Sequence, residues 1–161
     1  MIRLKHVKSW TGLAFFLSAA IFLGTAGGAR RSETADIPAD RDVVIRTDEI
    51  SDAAKFYPVD VEGTRMEVIA VKASDGSIRT AFNTCQICYD SGMGYYVQEG
   101  NALVCQNCGN RFRMDQVEVV SGGCNPVPIF PNYKTVTDET ITIPYAFLKE
   151  AKTIFSNWKT E

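Results

Sequence analysis

The sequence predicts a small, mainly β domain that ends in a helix and follows an N-terminal membrane helix. Short runs rich in valine and isoleucine, separated by glycine and proline, are typical of strands. Two C-x2-C pairs interrupt this strand region, and a hairpin between such pairs can present four sulfurs to one metal. Apolar residues at helical spacing close the chain, and we expect them to pack into the core: Phe147, Leu148, Ala151, Ile154, Phe155 and Trp158.

The first 31 residues are typical of a signal-anchor or a cleaved signal peptide. A positive segment ends at Lys8, an apolar or small stretch runs over 10–28, and Arg30 and Arg31 close it. The strongly apolar part, 13–23, is short for a membrane helix, but counting the small residues up to Ala29 brings it into range. Because flanking positive charge stays inside, we expect the rest of the chain on the extracytoplasmic side, anchored in the cell membrane or, after cleavage, secreted or periplasmic.

The remainder divides into a linker and one domain. Residues 32–42 are polar and contain Pro38, so we expect a flexible tether there, and residues 43–161 form the metal-binding domain. The predicted strands are 43–45, 56–61, a half-buried strand over 66–72, 78–82, 114–120 and 141–143, with 125–133 extended or irregular. A helix is predicted over 145–158, and Asp75-Gly76 marks a hairpin turn.

A second predicted hairpin lies between the two cysteine pairs. Residues 94–98 lead out, 99–101 turn, and 102–104 return into Cys105. Because a hairpin brings its two ends to strand-pairing distance, it would hold the pairs Cys85/Cys88 and Cys105/Cys108 face to face. Gly109 suits the turned backbone of the second pair, whose amides can point at sulfur.

Four interpretations of these four cysteines are open from the spacing: a structural zinc site, an iron or iron–sulfur centre, disulfides, or a copper(I) site. A disulfide within a C-x2-C pair closes a very short loop and stabilises little. A fifth cysteine, Cys124, is flanked by glycines that allow close approach of the backbone. It is a possible fifth ligand, a nearby thiol, or an inert buried residue.

Charge and histidine content exclude several functions. After residue 31 the chain has 19 acidic and 12 basic residues, a net charge of −7, which argues against nucleic-acid binding. The one histidine, His6, lies in the N-terminal positive segment, so Ser-His-Asp and Cys-His catalysis and a two-histidine Rieske cluster are excluded. No acid–base constellation converges elsewhere, and we expect an electron carrier or binding protein rather than an enzyme.

The order of these motifs resembles one bacterial family. Five motifs occur together in this order over about 43–143, as in the membrane iron–sulfur FtrD-like family. They are Asp75-Gly76, the first cysteine pair, Gly94-Tyr95-Tyr96, the second pair with Gly109, and Gly122-Gly123-Cys124-Asn125-Pro126. The hairpin with its cysteine turns also resembles the metal-binding loops of Rieske and rubredoxin-like proteins.

The resemblance implies ligands, cofactor and partners. Cys85, Cys88, Cys105 and Cys108 match the family's ligand positions, and Cys124 its fifth cysteine. The implied cofactor is an iron–sulfur cluster or iron, with zinc as the alternative. The implied role is an electron-transfer accessory of a ferrous iron uptake system, beside an iron permease and periplasmic iron-binding or cupredoxin proteins. The alternative is a structural zinc module or a module that handles copper.

Overall fold

The computed structural model describes residues 37–160, which form ten strands and one α-helix. The elements are β1 (Val43–Arg46), β2 (Lys55–Val61), β3 (Thr64–Lys72), β4 (Ile78–Cys85), β5 (Tyr96–Glu99), β6 (Ala102–Cys105), β7 (Arg111–Arg113), β8 (Pro126–Pro128), β9 (Thr135–Val136), β10 (Thr140–Ile143) and α1 (Tyr145–Ala151). The predicted mainly β domain with a C-terminal helix is therefore confirmed over this range. The predicted signal or anchor, residues 1–31, lies outside the described residues.

The central element is an antiparallel sheet with the strand order β2-β3-β4-β8. Two tight hairpins connect its first three strands, and Gly76 in the second turn has a φ of 84°, as the Asp-Gly pair predicts. Strand β8 is a Pro-Val-Pro segment that pairs with β4 at the edge of the sheet. An edge is where proline is tolerated in a sheet, because its nitrogen has no hydrogen to donate to a further strand.

Strand β3 is buried on both faces of the central sheet. Val68 and Ala70 pack into one apolar core, while Ile69 and Val71 pack into a second core on the opposite face. The alternation has the period of two that a strand imposes. The prediction that this strand is half-buried is wrong, because a second layer of strands covers the face that was expected to meet solvent.

The first core lies against a three-stranded sheet, β1-β10-β9, and the C-terminal segment. Helix α1 ends at Ala151 and a 3-10 turn, Lys152–Phe155, follows, so the helix is shorter than the predicted 145–158. The predicted packing of its apolar stripe is nonetheless confirmed, since Leu148, Phe155 and Trp158 are buried. The tighter turn still directs Phe155 against Phe82, with 5.7 Å between ring centroids.

The second core lies between the central sheet and a small sheet, β5-β6-β7, and it includes Cys85, Cys88 and Cys105. The prediction of a strand over 114–120 is wrong. Strand β7 ends at Arg113, and a 3-10 turn over Met114–Gln116 leads into an irregular loop. Glu118 in this loop has a positive φ of 65°, which interrupts an extended run.

The described part of the predicted linker lies along the domain. Ala39 forms an isolated bridge with Asp60, and the Asp60 N–H donates to the Pro38 carbonyl at 2.9 Å. Within residues 37–160, no helix combines the length and the apolar character that crossing a membrane requires.

A buried ion pair fastens the 114–125 loop to the central sheet. The Lys134 ammonium lies 2.5 Å from the Glu118 carboxylate, and the two side chains are 3% and 11% exposed. The same carboxylate accepts the Thr80 backbone N–H at 2.8 Å, and Lys134 also donates to the Thr80 hydroxyl at 2.8 Å. The loop that leads to Cys124 is thus held to strand β4 by a closed polar network.

We expect Glu118→Gln to lower the free energy of unfolding by about 3 kcal/mol, because it leaves the buried Lys134 charge without its counterion. Denaturant unfolding of the purified chain measures the change. The matched control is Asp48→Asn, which breaks the exposed pair with Arg46, whose side chains are both 63% exposed. It should leave the unfolding midpoint almost unchanged. Equal midpoints for the two variants would contradict the role of the buried pair.

Candidate metal centre

The sulfur atoms of all five cysteines lie in two overlapping groups. The sulfurs of Cys85, Cys88 and Cys105 lie within 4.8 Å of one another, and so do those of Cys88, Cys108 and Cys124. Cys88 belongs to both groups, and all five residues are free thiols. Three sulfurs at this separation could together bind one metal ion. We call the set of five sulfurs the cysteine array.

Strand ends bring the two cysteine pairs together. Cys85 is the last residue of β4 and Cys105 is the last residue of β6, so each pair begins where a strand turns away. Strand β5 pairs with β6 and places Tyr96 opposite Cys105. The hairpin predicted between the pairs is present, and it positions the second pair beside the first.

Backbone N–H groups point at the sulfurs in both turns. The Cys85 sulfur accepts from the N–H groups of Ile87 and Cys88. At the second turn, the Cys105 sulfur accepts from the N–H groups of Asn107 and Cys108. Such donors stabilise a thiolate and its bond to a metal.

The second turn carries one more donor of this kind. The Cys108 sulfur accepts from the N–H of Asn110, and Gly109 between them has a φ of 71°, as expected for that glycine. At the corresponding place in the first turn stands Tyr89, and the Cys88 sulfur takes a hydrogen bond from the Asn107 side chain. The two turns therefore differ in how their second cysteine is supported.

The backbone of Gly94 and Tyr95 joins the two turns. The Gly94 carbonyl accepts the Cys85 N–H at 2.6 Å, and the Tyr95 carbonyl accepts the Gln106 N–H at 2.9 Å. A Cβ atom on Gly94 would lie 2.1 Å from the Cys88 carbonyl oxygen. Only glycine permits this approach, because even the smallest side chain would collide with the backbone of the first turn.

A bulge in β4 docks the hairpin onto the central sheet. Phe82 pairs with Val127 and the next pairing joins Cys85 to Pro126, so Asn83 is one of two extra residues. The buried Asn83 amide accepts the Tyr96 N–H at 2.7 Å and donates to the Tyr96 carbonyl at 3.2 Å. This side chain therefore substitutes for a strand partner at the start of β5.

Three side chains hold the loop that carries Cys124. The Cys124 carbonyl accepts from the Tyr96 hydroxyl at 2.9 Å and from the Asn110 amide at 2.8 Å. The Gln86 amide oxygen accepts the Gly122 N–H at 2.9 Å. Because Gln86 belongs to the first cysteine turn, Asn110 follows the second and Tyr96 lies in β5 between them, the fifth sulfur is placed beside the other four.

The five thiols differ in how readily they lose a proton. Burial raises the pKa of Cys105 to about 12, and burial also raises the pKa of Cys88. The hydrogen bond to Cys108 raises the pKa of Cys124 to about 12, while the Asn110 N–H lowers the pKa of Cys108.

Cys85 is subject to opposing effects. Burial raises its pKa, but the adjacent Tyr96 side chain and the N–H groups of Cys88 and Ile87 together outweigh burial, so the net pKa of Cys85 is lowered. Five thiolates this close repel one another, and only a cation allows all of them to deprotonate.

The cysteine array extends from the interior to the surface. Cys85 and Cys105 are fully buried, Cys124 is half-buried, and Cys108 is exposed. A cavity of about 720 Å³ opens elsewhere, between the 50–53 segment and Arg113, and its lining contains none of the five cysteines. The sulfur chemistry and this cavity are therefore separate features.

The sequence identified the cysteines but not the residues that position them. Asn83, Gln86 and Asn110 are polar residues of ordinary appearance, and only the bulge and the two turns give them their roles. The Gly94-Tyr95-Tyr96 motif belongs to the hairpin that the sequence predicts. Its steric and hydrogen-bonding function, however, depends on contacts with chain segments that are distant in sequence.

An all-sulfur donor set on two N–H-lined turns of a small β domain defines a thiolate metal-binding protein. A family model described as "Membrane iron-sulfur containing protein FtrD-like" matches residues 27–155, about four-fifths of the chain. The chain therefore belongs to the FtrD-like family of membrane iron–sulfur proteins, as its motifs indicated. Neither the curated proteins nor the solved structures contain a match to it.

We expect Gly94→Ala to reduce the metal content of the purified chain and its melting temperature, because the added methyl group meets the Cys88 carbonyl. The control is Gly100→Ala in the hairpin turn, where a Cβ meets nothing within 4 Å and only the positive φ of 61° is strained. That strain costs about 1 kcal/mol and should leave the metal content unchanged. Full metal content in Gly94→Ala would argue against the steric requirement.

Proposed function

We propose that this protein is an extracytoplasmic, membrane-anchored electron carrier that holds iron or an iron–sulfur cluster and serves as an accessory of a ferrous iron uptake system. The proposed ligands are Cys85, Cys88, Cys105 and Cys108, with Cys124 as a fifth ligand or nearby thiol. The observation that supports it most directly is the cysteine array, five sulfurs in two overlapping groups whose members lie within 4.8 Å of one another, in a member of an iron–sulfur family.

The donor set suits an iron centre. Iron–sulfur clusters are held by four cysteine thiolates, and N–H groups directed at the sulfurs help to set their reduction potential. Both turns supply such N–H groups, to Cys85, Cys105 and Cys108. An iron centre held there would supply one-electron chemistry, and the chain would contribute its position, its partial exclusion of water and its hydrogen bonds.

The surface near the array suits a protein partner. Two exposed apolar side chains, Ile87 and Tyr89, lie on the first cysteine turn. Cys108 is exposed as well. An electron carrier needs its centre near the surface on which the partner docks, and apolar residues favour such contacts. The iron permease and the periplasmic iron-binding or cupredoxin proteins are the proposed partners.

Anaerobic purification of the full chain, with metal and sulfide analysis and an absorption spectrum, tests the cofactor. We expect iron and a visible absorption that bleaches on reduction, because iron–thiolate charge transfer absorbs visible light. Cys85→Ser should abolish this absorption, and Cys124→Ser shows whether the fifth thiol is a ligand. A colourless protein that contains one zinc ion would instead favour a structural zinc module.

The proposed arrangement at the membrane is a signal-anchor over 1–31, a linker over 32–42 and a domain over 43–161. Alkaline phosphatase fused after the last residue should be active, since this enzyme matures only in an oxidising compartment. Membrane fractionation then separates an uncleaved anchor from a cleaved signal peptide. An inactive fusion with a stable chain would contradict the extracytoplasmic location.

We expect Ile87→Glu to slow electron exchange with the cupredoxin of the uptake system at least tenfold. Ile87 is 61% exposed, and the substitution would put a charge where its apolar side chain is proposed to contact the partner. Stopped-flow mixing of the two purified proteins measures the rate. The control is Val136→Glu, which is 58% exposed on β9 in a different sheet and should leave the rate unchanged. Equal rates for both variants would remove this surface from the proposal.

A further inference from the structure

We propose that the cysteine array, when it holds no iron, binds two copper(I) ions that share the Cys88 sulfur. One ion would lie among Cys85, Cys88 and Cys105, and the other among Cys88, Cys108 and Cys124. Thiolates are the ligands that select copper(I) in proteins. Two three-coordinate ions with one common sulfur require five sulfurs, which is the number that the two groups provide.

The number of sulfurs favours this ion over others. Structural zinc takes four ligands in a tetrahedron and would leave one of the five sulfurs unused. An iron–sulfur cluster uses four cysteines and leaves one of the five without a role. A pair of three-coordinate copper(I) ions uses every sulfur. The inference concerns the iron-free protein and goes beyond the proposed electron carrier.

The chemistry balances without an oxidant or reductant. Copper enters and remains as copper(I), each of the five thiols releases one proton to solvent, and the resulting cluster has a charge of −3. Fixed N–H donors offset part of that charge. They come from Ile87 and Cys88 in the first turn and from Asn107, Cys108 and Asn110 in the second.

The two positions differ in access to solvent. The sulfurs of Cys85 and Cys105 are enclosed by the second core, whereas Cys108 is exposed and Cys124 is half-buried. The outer ion should therefore reach a chelator or a partner thiol first, while the inner ion is retained.

The test uses the full chain, purified in detergent under anaerobic conditions and stripped of metal. Copper(I) is added stepwise, one molar equivalent at a time, in the presence of the competing chelator bathocuproine disulfonate. Wild type should bind two ions, and rising chelator should remove one before the other. X-ray absorption of the loaded protein should show copper–copper scattering from the shared sulfur. Binding of a single ion, or two ions without that scattering, would overturn the proposal.

Variants assign the two positions. Cys124→Ser and, independently, Cys108→Ser should each bind one ion, and the remaining ion should be the one that resists the chelator. The matched control, Ser121→Ala, lies in the same loop, is exposed and should still bind two ions. Circular dichroism verifies that each variant is folded. Two ions in both folded serine variants would refute the outer position. Because iron content is measured on separate preparations, the copper result and the iron–sulfur proposal can fail independently.

Discussion

The backbone of residues 94–96 is the constraint on which the arrangement of the five sulfurs depends. Its carbonyl groups accept the N–H of Cys85 in the first cysteine turn and the N–H of Gln106 in the second, and the Asn83 amide hydrogen-bonds to the backbone of Tyr96. One short segment thus fixes the first turn, the second turn and the central sheet relative to one another. Gly94 is essential to this arrangement, because the segment passes too close to the Cys88 carbonyl for any side chain.

The environment of the sulfurs combines burial with directed hydrogen bonds. Burial disfavours a thiolate, and the N–H groups of the turns favour one, so neighbouring cysteines have pKa values shifted in opposite directions. An unmetallated array of this kind holds protons between close sulfurs. A bound cation replaces those protons, and this exchange is the physical reason that such an array binds soft metals tightly.

The array is also part of the second core of a small domain. Cys85, Cys88 and Cys105 pack with apolar residues between the central sheet and the β5-β6-β7 sheet. The loop that supplies Cys124 is also held to the central sheet by the buried ion pair of Glu118 and Lys134. The geometry of the sulfurs and the packing of the domain therefore depend on each other.

The sequence by itself determined the strand-rich class, seven of the ten strands, the apolar stripe and the five cysteines, because these follow from local periodicity and short motifs. It did not reveal that β3 is buried on both faces, that 114–120 is not a strand, or that Asn83 and Gln86 position the sulfurs. Those features arise from contacts between segments distant in sequence: a second sheet covers β3, and the Glu118 carboxylate bonds to Thr80. Only the tertiary structure decided that Cys124 joins the other four sulfurs, because its loop is held by partners on both turns.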